Sequence, residues 1–182
     1  MRTSRTRPDR KNVVLIGFMG SGKTLIGRLL ARGLGFAFVD TDDEIVALAG
    51  KPITEIFAES GEPEFRELES KVLRELGDRD RSVFSTGGGI VTIEANIELL
   101  RAAGMVVWLD ASPGAILERV SGNDDRPLLQ TEDPEATIAE MLEQRRPLYK
   151  AAADQHVDTD DLSPDEIAYG IAESARVWFG GK

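Results

Sequence analysis

Gly17-Phe18-Met19-Gly20-Ser21-Gly22-Lys23-Thr24 fits the pattern G-x-x-x-x-G-K-[ST], and it stands between the apolar run 13–16 and a helix-like repeat of leucines. Glycines at these positions let backbone N–H groups turn inward around a polyphosphate, and a following helix aims its positive end at the same anion. Lys23 is spaced to reach the β- and γ-phosphates, and the Thr24 hydroxyl to hold Mg²⁺. The strand-like and helix-like flanks separate a phosphate loop from a glycine turn that binds nothing. A dinucleotide fits less well, because the glycines run G-x-x-G-x-G rather than G-x-G-x-x-G. The expected ligand is a nucleoside triphosphate.

Other residues narrow the chemistry. Asp40 follows a β-prone run, where a carboxylate completes a P-loop magnesium site or, alternatively, caps a helix. Asp42, two residues on, is spaced to accept a hydrogen bond from a substrate hydroxyl and orient it. Arg66 and Arg145 could each grip a carboxylate with two parallel N–H bonds, or could make only surface pairs with Glu62, Glu69 and Glu143. Gly87-Gly88-Gly89 leaves a stretch of backbone bare of side chains, open to close approach by a ligand. Arg126 lies in a polar, proline-containing stretch over about 122–133 that reads as a mobile lid, and it could stabilise charge on a transferring phosphoryl group. His156, the one histidine, reads as packing or surface, and Asp158, Asp160 and Asp161 lack the glycine of a calcium loop.

Positioning these groups takes alternating strands and helices. Residues 13–16, 36–39, 82–86, 105–109 and 156–159 read as strands. Helical spacing follows the phosphate loop to about Leu34, recurs over 44–49, from Pro52 to Phe57 and over 62–76, and extends from Thr92 as a cap towards Gly104. Further helices start at Ser112-Pro113 and Asp133-Pro134, and Ser163 with Glu166 forms a capping box for the last. The expected fold is α/β: one three-layer α/β/α domain over 12–182 with a central, mostly parallel sheet.

At 182 residues, with 41% hydrophobic and 30% charged residues, the chain suits a single soluble domain. Its net charge of −10 conceals an asymmetry: residues 1–11 hold five basic groups against Asp9, leaving −14 on the rest. So acidic a body disfavours nucleic acid as a partner, and the basic N-terminal arm is expected to be flexible. There are no cysteines, which excludes disulfides and thiolate chemistry and fits a reducing compartment. No apolar run approaches a membrane span and no signal-peptide core follows the basic start, so a cytoplasmic protein without membrane partners is expected, and nothing in the sequence requires more than a monomer.

Taken in order, GFMGSGKT (17–24), LGFAFVDTDDEI (34–45), IFAESGEPEFRELE (56–69), STGGG (85–89), RPLL (126–129), RRPLY (145–149) and VDTD (157–160) resemble the shikimate kinase family of P-loop proteins. The resemblance runs from about Asn12 to Asp160 and implies Mg²⁺-dependent transfer of the ATP γ-phosphoryl group to the 3-hydroxyl of shikimate, on the route to aromatic amino acids. By matching positions it implies that Gly20, Ser21, Gly22, Lys23, Thr24 and Leu25 bind nucleotide, with Arg119 beside the adenine and Arg126 over the phosphates. Thr24 and Asp40 would serve the metal. Asp42, Arg66, Gly87, Gly88, Gly89 and Arg145 would hold shikimate, the two arginines taking its carboxylate; Arg145 rather than Arg146 stands two residues before the proline of PLY. Lys23, Asp42 and Arg126 would be the catalytic set. The alternatives are a gluconate-kinase-like enzyme of the same group and a catalytically silent nucleotide or shikimate sensor.

Overall fold

The computed structural model describes residues 10–120 and 133–180. Five strands, β1 (Val13–Ile16), β2 (Ala37–Asp40), β3 (Ser82–Ser85), β4 (Met105–Asp110) and β5 (Gln155–Asp158), form one sheet in the order β2-β3-β1-β4-β5. Every pair is parallel. Helices α1 (Lys23–Leu34), α2 (Thr41–Ala49), α3 (Ile53–Leu76), α4 (Glu94–Ala103), α5 (Pro113–Val120), α6 (Pro134–Ala152) and α7 (Pro164–Gly180) make the connections and the outer layers.

β1 shows why the sheet is covered on both sides. Its residues are all fully buried, and they alternate between two cores. Val14 and Ile16 pack with α3, α4 and α6, whereas Val13 and Leu15 pack with α1 and α7. Successive side chains of a strand point to opposite faces, so an unbroken apolar run is what a doubly covered strand needs.

The strands are held in register at their amino ends by Asn12, whose side chain is fully buried. Its Nδ2 donates to Arg79 O at 2.7 Å and Ala103 O at 2.9 Å, and its Oδ1 accepts from Ser82 N at 2.9 Å. Of the basic stretch 1–11, Arg10 and Lys11 are described: Arg10 donates to Gly77 O and Asp78, and Lys11 N donates to Asp80.

Several expected punctuation marks hold. α3 contains a break at Gly61, where φ is 76° and ψ −177°, dividing it where sequence separates two helices. Asp133 caps α6 through Ala136 N, and Ser163 and Glu166 cap α7 reciprocally. Thr92 departs from expectation. It ends a short 3₁₀ turn, Ile90–Thr92, and its hydroxyl donates back to Gly89 O, so α4 starts at Glu94 after Ile93 without a side-chain cap.

Candidate active site

Between β1 and α1 the chain turns through Gly17, Gly20 and Gly22, all at positive φ. Gly20 needs its missing side chain twice over: φ is +75°, and a Cβ would lie 2.9 Å from Val120 Cγ1 of α5. Gly22 is the N-cap of α1, with no side-chain cap and no acidic residue in the first turn. The leading N–H groups and the positive end of the helix are thus left for an anion. Lys23 is 8% exposed, and its Nζ donates to Gly17 O and Phe18 O, both at 2.8 Å, which keeps an ammonium group at the loop.

Thr24, in the next position, points towards the end of β2. Its Oγ1 donates to Asp40 Oδ2 at 3.0 Å and lies 3.4 Å from Ser85 Oγ. Asp40 Oδ1 meanwhile accepts from Asp42 N, capping α2. The helix-cap reading of Asp40 thus holds for one carboxylate oxygen, and the other oxygen faces Thr24. This cluster of hard oxygen donors suits Mg²⁺.

The glycine stretch after β3 divides this region from a bank of arginines. A Cβ on Gly88 would approach Met19 N of the phosphate loop to 3.2 Å, and one on Gly87 would lie 3.5 Å from Asp42 Oδ1 and 2.5 Å from Glu69 Oε1. One on Gly89 would sit 2.3 Å from Arg66 Nη2. These three residues are bare because side chains from α2 and α3 and the phosphate loop press against their backbone.

Arg66 does form ion pairs, but they are not merely superficial. Nη2 donates to Glu62 Oε1 at 2.8 Å and Nη1 to Glu69 Oε2 at 2.5 Å, with the Arg66 side chain 15% exposed and that of Glu69 0%. Burial holds the Glu69 carboxyl above its ordinary range, opposed by Arg66 and reinforced by Asp42 and Glu62. Burial pulls the Arg66 guanidinium down, but Glu69 and Glu62 outweigh it and leave the group more basic than usual. The guanidinium is held from behind by two carboxylates and lies against Gly89.

Arg145, on α6, lies with its guanidinium carbon 5.4 Å from the centroid of the Phe18 ring and donates to Gly88 O at 3.5 Å. Arg146 turns the other way, to Asp110 Oδ1 at 3.3 Å. Arg119 donates to Thr159 O at 2.9 Å and to Gly20 O at 3.5 Å, tying α5 to the phosphate loop and the chain after β5. Arg126 and the expected lid residues 122–132 lie outside the described residues. Gly20, Gly22, Lys23, Thr24, half-exposed Leu25, Asp40, Asp42, Gly87, Gly88 and Arg119 line one cleft of about 450 Å³. Ser21 is buried beneath it, its Oγ without a hydrogen-bond partner. The sequence reading gave no role in the site to Met19, Ser85 and Thr86, which also line the cleft, or to Phe18 beneath Arg145. Phe18 and Met19 lie within the GFMGSGKT stretch and Ser85 and Thr86 open STGGG, which is the local signal that could have found them.

An anion loop that faces a metal-type carboxylate on one side and fixed arginines on the other places the protein among the P-loop small-molecule kinases. The sequence model of the shikimate kinase family matches residues 19–176. A shikimate kinase of Thermodesulfovibrio yellowstonii is 44% identical over 172 residues, covering 94% of this chain and 99% of its own. One from Moorella thermoacetica is 46% identical over 167 residues, covering 92% and 95%. The solved structure of shikimate kinase from Acinetobacter baumannii in complex with shikimate superposes with a TM-score of 0.86 at 38% identity, covering 97% of this chain and 96% of that one. The chain belongs to the shikimate kinase family. A gluconokinase from Sinorhizobium meliloti, at 16% identity and a TM-score of 0.60, shares the fold alone. The activity of the family is transfer of the ATP γ-phosphoryl group to the 3-hydroxyl of shikimate, in aromatic amino acid biosynthesis.

Proposed function

We propose that this cleft performs the shikimate kinase reaction with the residues it brings together. The phosphate loop and Lys23 hold the phosphates of ATP, and Arg119 stands at the nucleotide side. Arg66 and Arg145 take the carboxylate of shikimate across the Gly87-Gly88-Gly89 backbone. Asp42 receives a hydrogen bond from the 3-hydroxyl and orients an oxygen lone pair towards the γ-phosphorus. As that O–P bond forms, the bond from the γ-phosphorus to the β–γ bridging oxygen breaks, and the hydroxyl proton leaves on the Asp42 side. Phosphoryl transfer through a loose transition state demands mainly positioning and charge stabilisation, which this arrangement supplies.

Thr24 and Asp40 would hold Mg²⁺, whose charge would offset that of the phosphates. The observation that carries the whole reading is the single cleft in which Lys23, Thr24, Asp40 and Asp42 meet Gly87 and Gly88. We further take residues 12–182 as one catalytic domain, acting as a monomer in the cytoplasm. Among the described residues no helix is long and apolar enough to cross a membrane. Light scattering at working concentration tests the monomer.

The decisive assay follows ATP consumption with Mg²⁺ and shikimate, shikimate lacking its 3-hydroxyl, gluconate, or no acceptor, and identifies the product by NMR. Phosphorylation only at the 3-hydroxyl of shikimate is expected. Turnover of gluconate in preference to shikimate would overturn the acceptor, and ATP binding without turnover of either would favour a silent sensor.

A further inference from the structure

Tyr149 lies one helical turn beyond Arg145 on α6 and is fully buried. Its hydroxyl donates to Gly88 O at 2.5 Å, the same carbonyl that Arg145 Nη1 reaches at 3.5 Å. The two donors are unequal. The phenol oxygen sits well within hydrogen-bond distance of the carbonyl, whereas 3.5 Å is the limit of a hydrogen bond and is easily given up. Gly88 also packs on the phosphate loop, near Met19 N and Gly17 O. The peptide that Tyr149 holds is thus the partition between the phosphate loop and the arginines.

The phenol ring has little freedom. It stacks on Trp108 of β4 with centroids 5.8 Å apart and planes 24° from parallel, and His156 of β5 covers the other end of the stack at 4.2 Å from Trp108. Burial pushes the hydroxyl up to about 12, with the Arg145 and Arg66 cations pulling against it and Asp110 adding to the rise. The group therefore remains a donor over any pH at which the enzyme works.

We propose that Tyr149 is a positioning residue for shikimate: its hydroxyl fixes the Gly88 carbonyl, so that Arg145 can leave that carbonyl for the substrate carboxylate without moving the glycine platform. Without Tyr149, the departure of Arg145 would strip this half-buried carbonyl of its remaining side-chain donor, and the phenol removes that cost from the binding step. The inference rests on the assignment of Arg145 and the triple glycine to shikimate.

Tyr149→Phe keeps the ring stack and deletes only the hydroxyl. In the full chain it is expected to raise KM for shikimate about tenfold, as for loss of one hydrogen bond to a half-buried acceptor, and to leave KM for ATP within about twofold. Arg145→Ala is measured beside it. Weakened shikimate in Arg145→Ala with unchanged KM in Tyr149→Phe would overturn the role of Tyr149 alone, while unchanged KM in both would overturn the subsite assignment first. Equal rises for both substrates, with a lowered Tm, would reduce Tyr149 to a core residue. A second measurement needs no disruption of the stack. The chain has two tyrosines, so global 3-fluorotyrosine in a Tyr169→Phe background labels position 149 only. Its ¹⁹F resonance is expected to shift when shikimate saturates the site and Arg145 leaves Gly88, and an unmoved resonance would overturn the proposal.

Discussion

Thr24 Oγ1 and Asp40 Oδ2 lie 3.0 Å apart, joining the first turn of α1 to the end of β2, although the residues are sixteen positions apart in sequence. The other oxygen of Asp40 caps α2, so one carboxylate serves both a proposed metal site and a helix start. Asp40→Asn retains an acceptor for the cap but removes the charge; it should raise the Mg²⁺ concentration for half-maximal activity at least tenfold with little change in Tm. Asp40→Ala should do both kinds of damage, adding a cap loss of about 1 kcal/mol. Magnesium titrations and thermal melts of the two variants separate the roles.

The adjacent arginines of α6 should behave as opposites. Arg145→Ala should weaken shikimate by about 2–5 kcal/mol, roughly 30- to 5000-fold, as for loss of one partner of a desolvated charged pair. Arg146 is 44% exposed in its pair with Asp110, so Arg146→Ala should change shikimate affinity little and stability by at most about 1 kcal/mol. Isothermal titration of both variants decides the assignment, and the reverse ranking would move the carboxylate contact to Arg146.

Gly89→Ala should act through Arg66. The backbone there has φ −96°, open to any residue, but the new methyl group would occupy the place of the guanidinium. KM for shikimate should rise at least tenfold while KM for ATP holds. A joint rise in both constants would mean that the whole strand end had moved.

Removing Arg66 itself has a second cost, because Glu69 would remain as a buried, uncompensated carboxylate. Arg66→Ala should destabilise the fold by about 3–5 kcal/mol, and adding Glu69→Gln should restore much of this without restoring shikimate affinity. Urea denaturation gives the first quantity and shikimate titration the second.

Glu69 also fixes a sign for the pH dependence of stability. Its folded-state pKa lies above the ordinary Glu value of 4.5, burial being the leading cause. Between those two values the folded protein binds a proton that the unfolded chain has released. The contribution of this group is therefore fully present below the unfolded value and is lost as pH rises through the folded one. Glu69→Gln should remove that downward slope just above pH 4.5, read from urea midpoints at a series of pH values.

What the sequence disclosed, and what it concealed, follows from the reach of each interaction. The phosphate loop was legible because its glycines, Lys23 and Thr24 act through spacing within eight residues. The strands were legible because a doubly buried strand has to be apolar throughout, as Val13–Ile16 is. Arg66 was only half legible: its spacing from Glu62 and Glu69 announces ion pairs, but nothing local says that Glu69 is wholly buried. Thr92 was misread as a cap, since its hydroxyl finds Gly89 O in the preceding 3₁₀ turn. Tyr149 was legible only as the last letter of RRPLY and not in its role, because its partner Gly88 is 61 residues away and the bond exists only when α6 crosses the end of β3.

The position of β1 also constrains how the protein is made. Its two neighbours in the sheet are β3 and β4, and both follow it in the chain, at Ser82–Ser85 and Met105–Asp110. A ribosome that has just delivered the phosphate loop has released a fully apolar strand with nothing to pair with. That strand must wait for β3, which ends 69 residues after Ile16, and then for β4, which ends 94 residues after it, and non-local pairing of this kind is slow. Nucleotide can therefore act as a folding ligand only late in synthesis, once β3 and β4 have closed around β1.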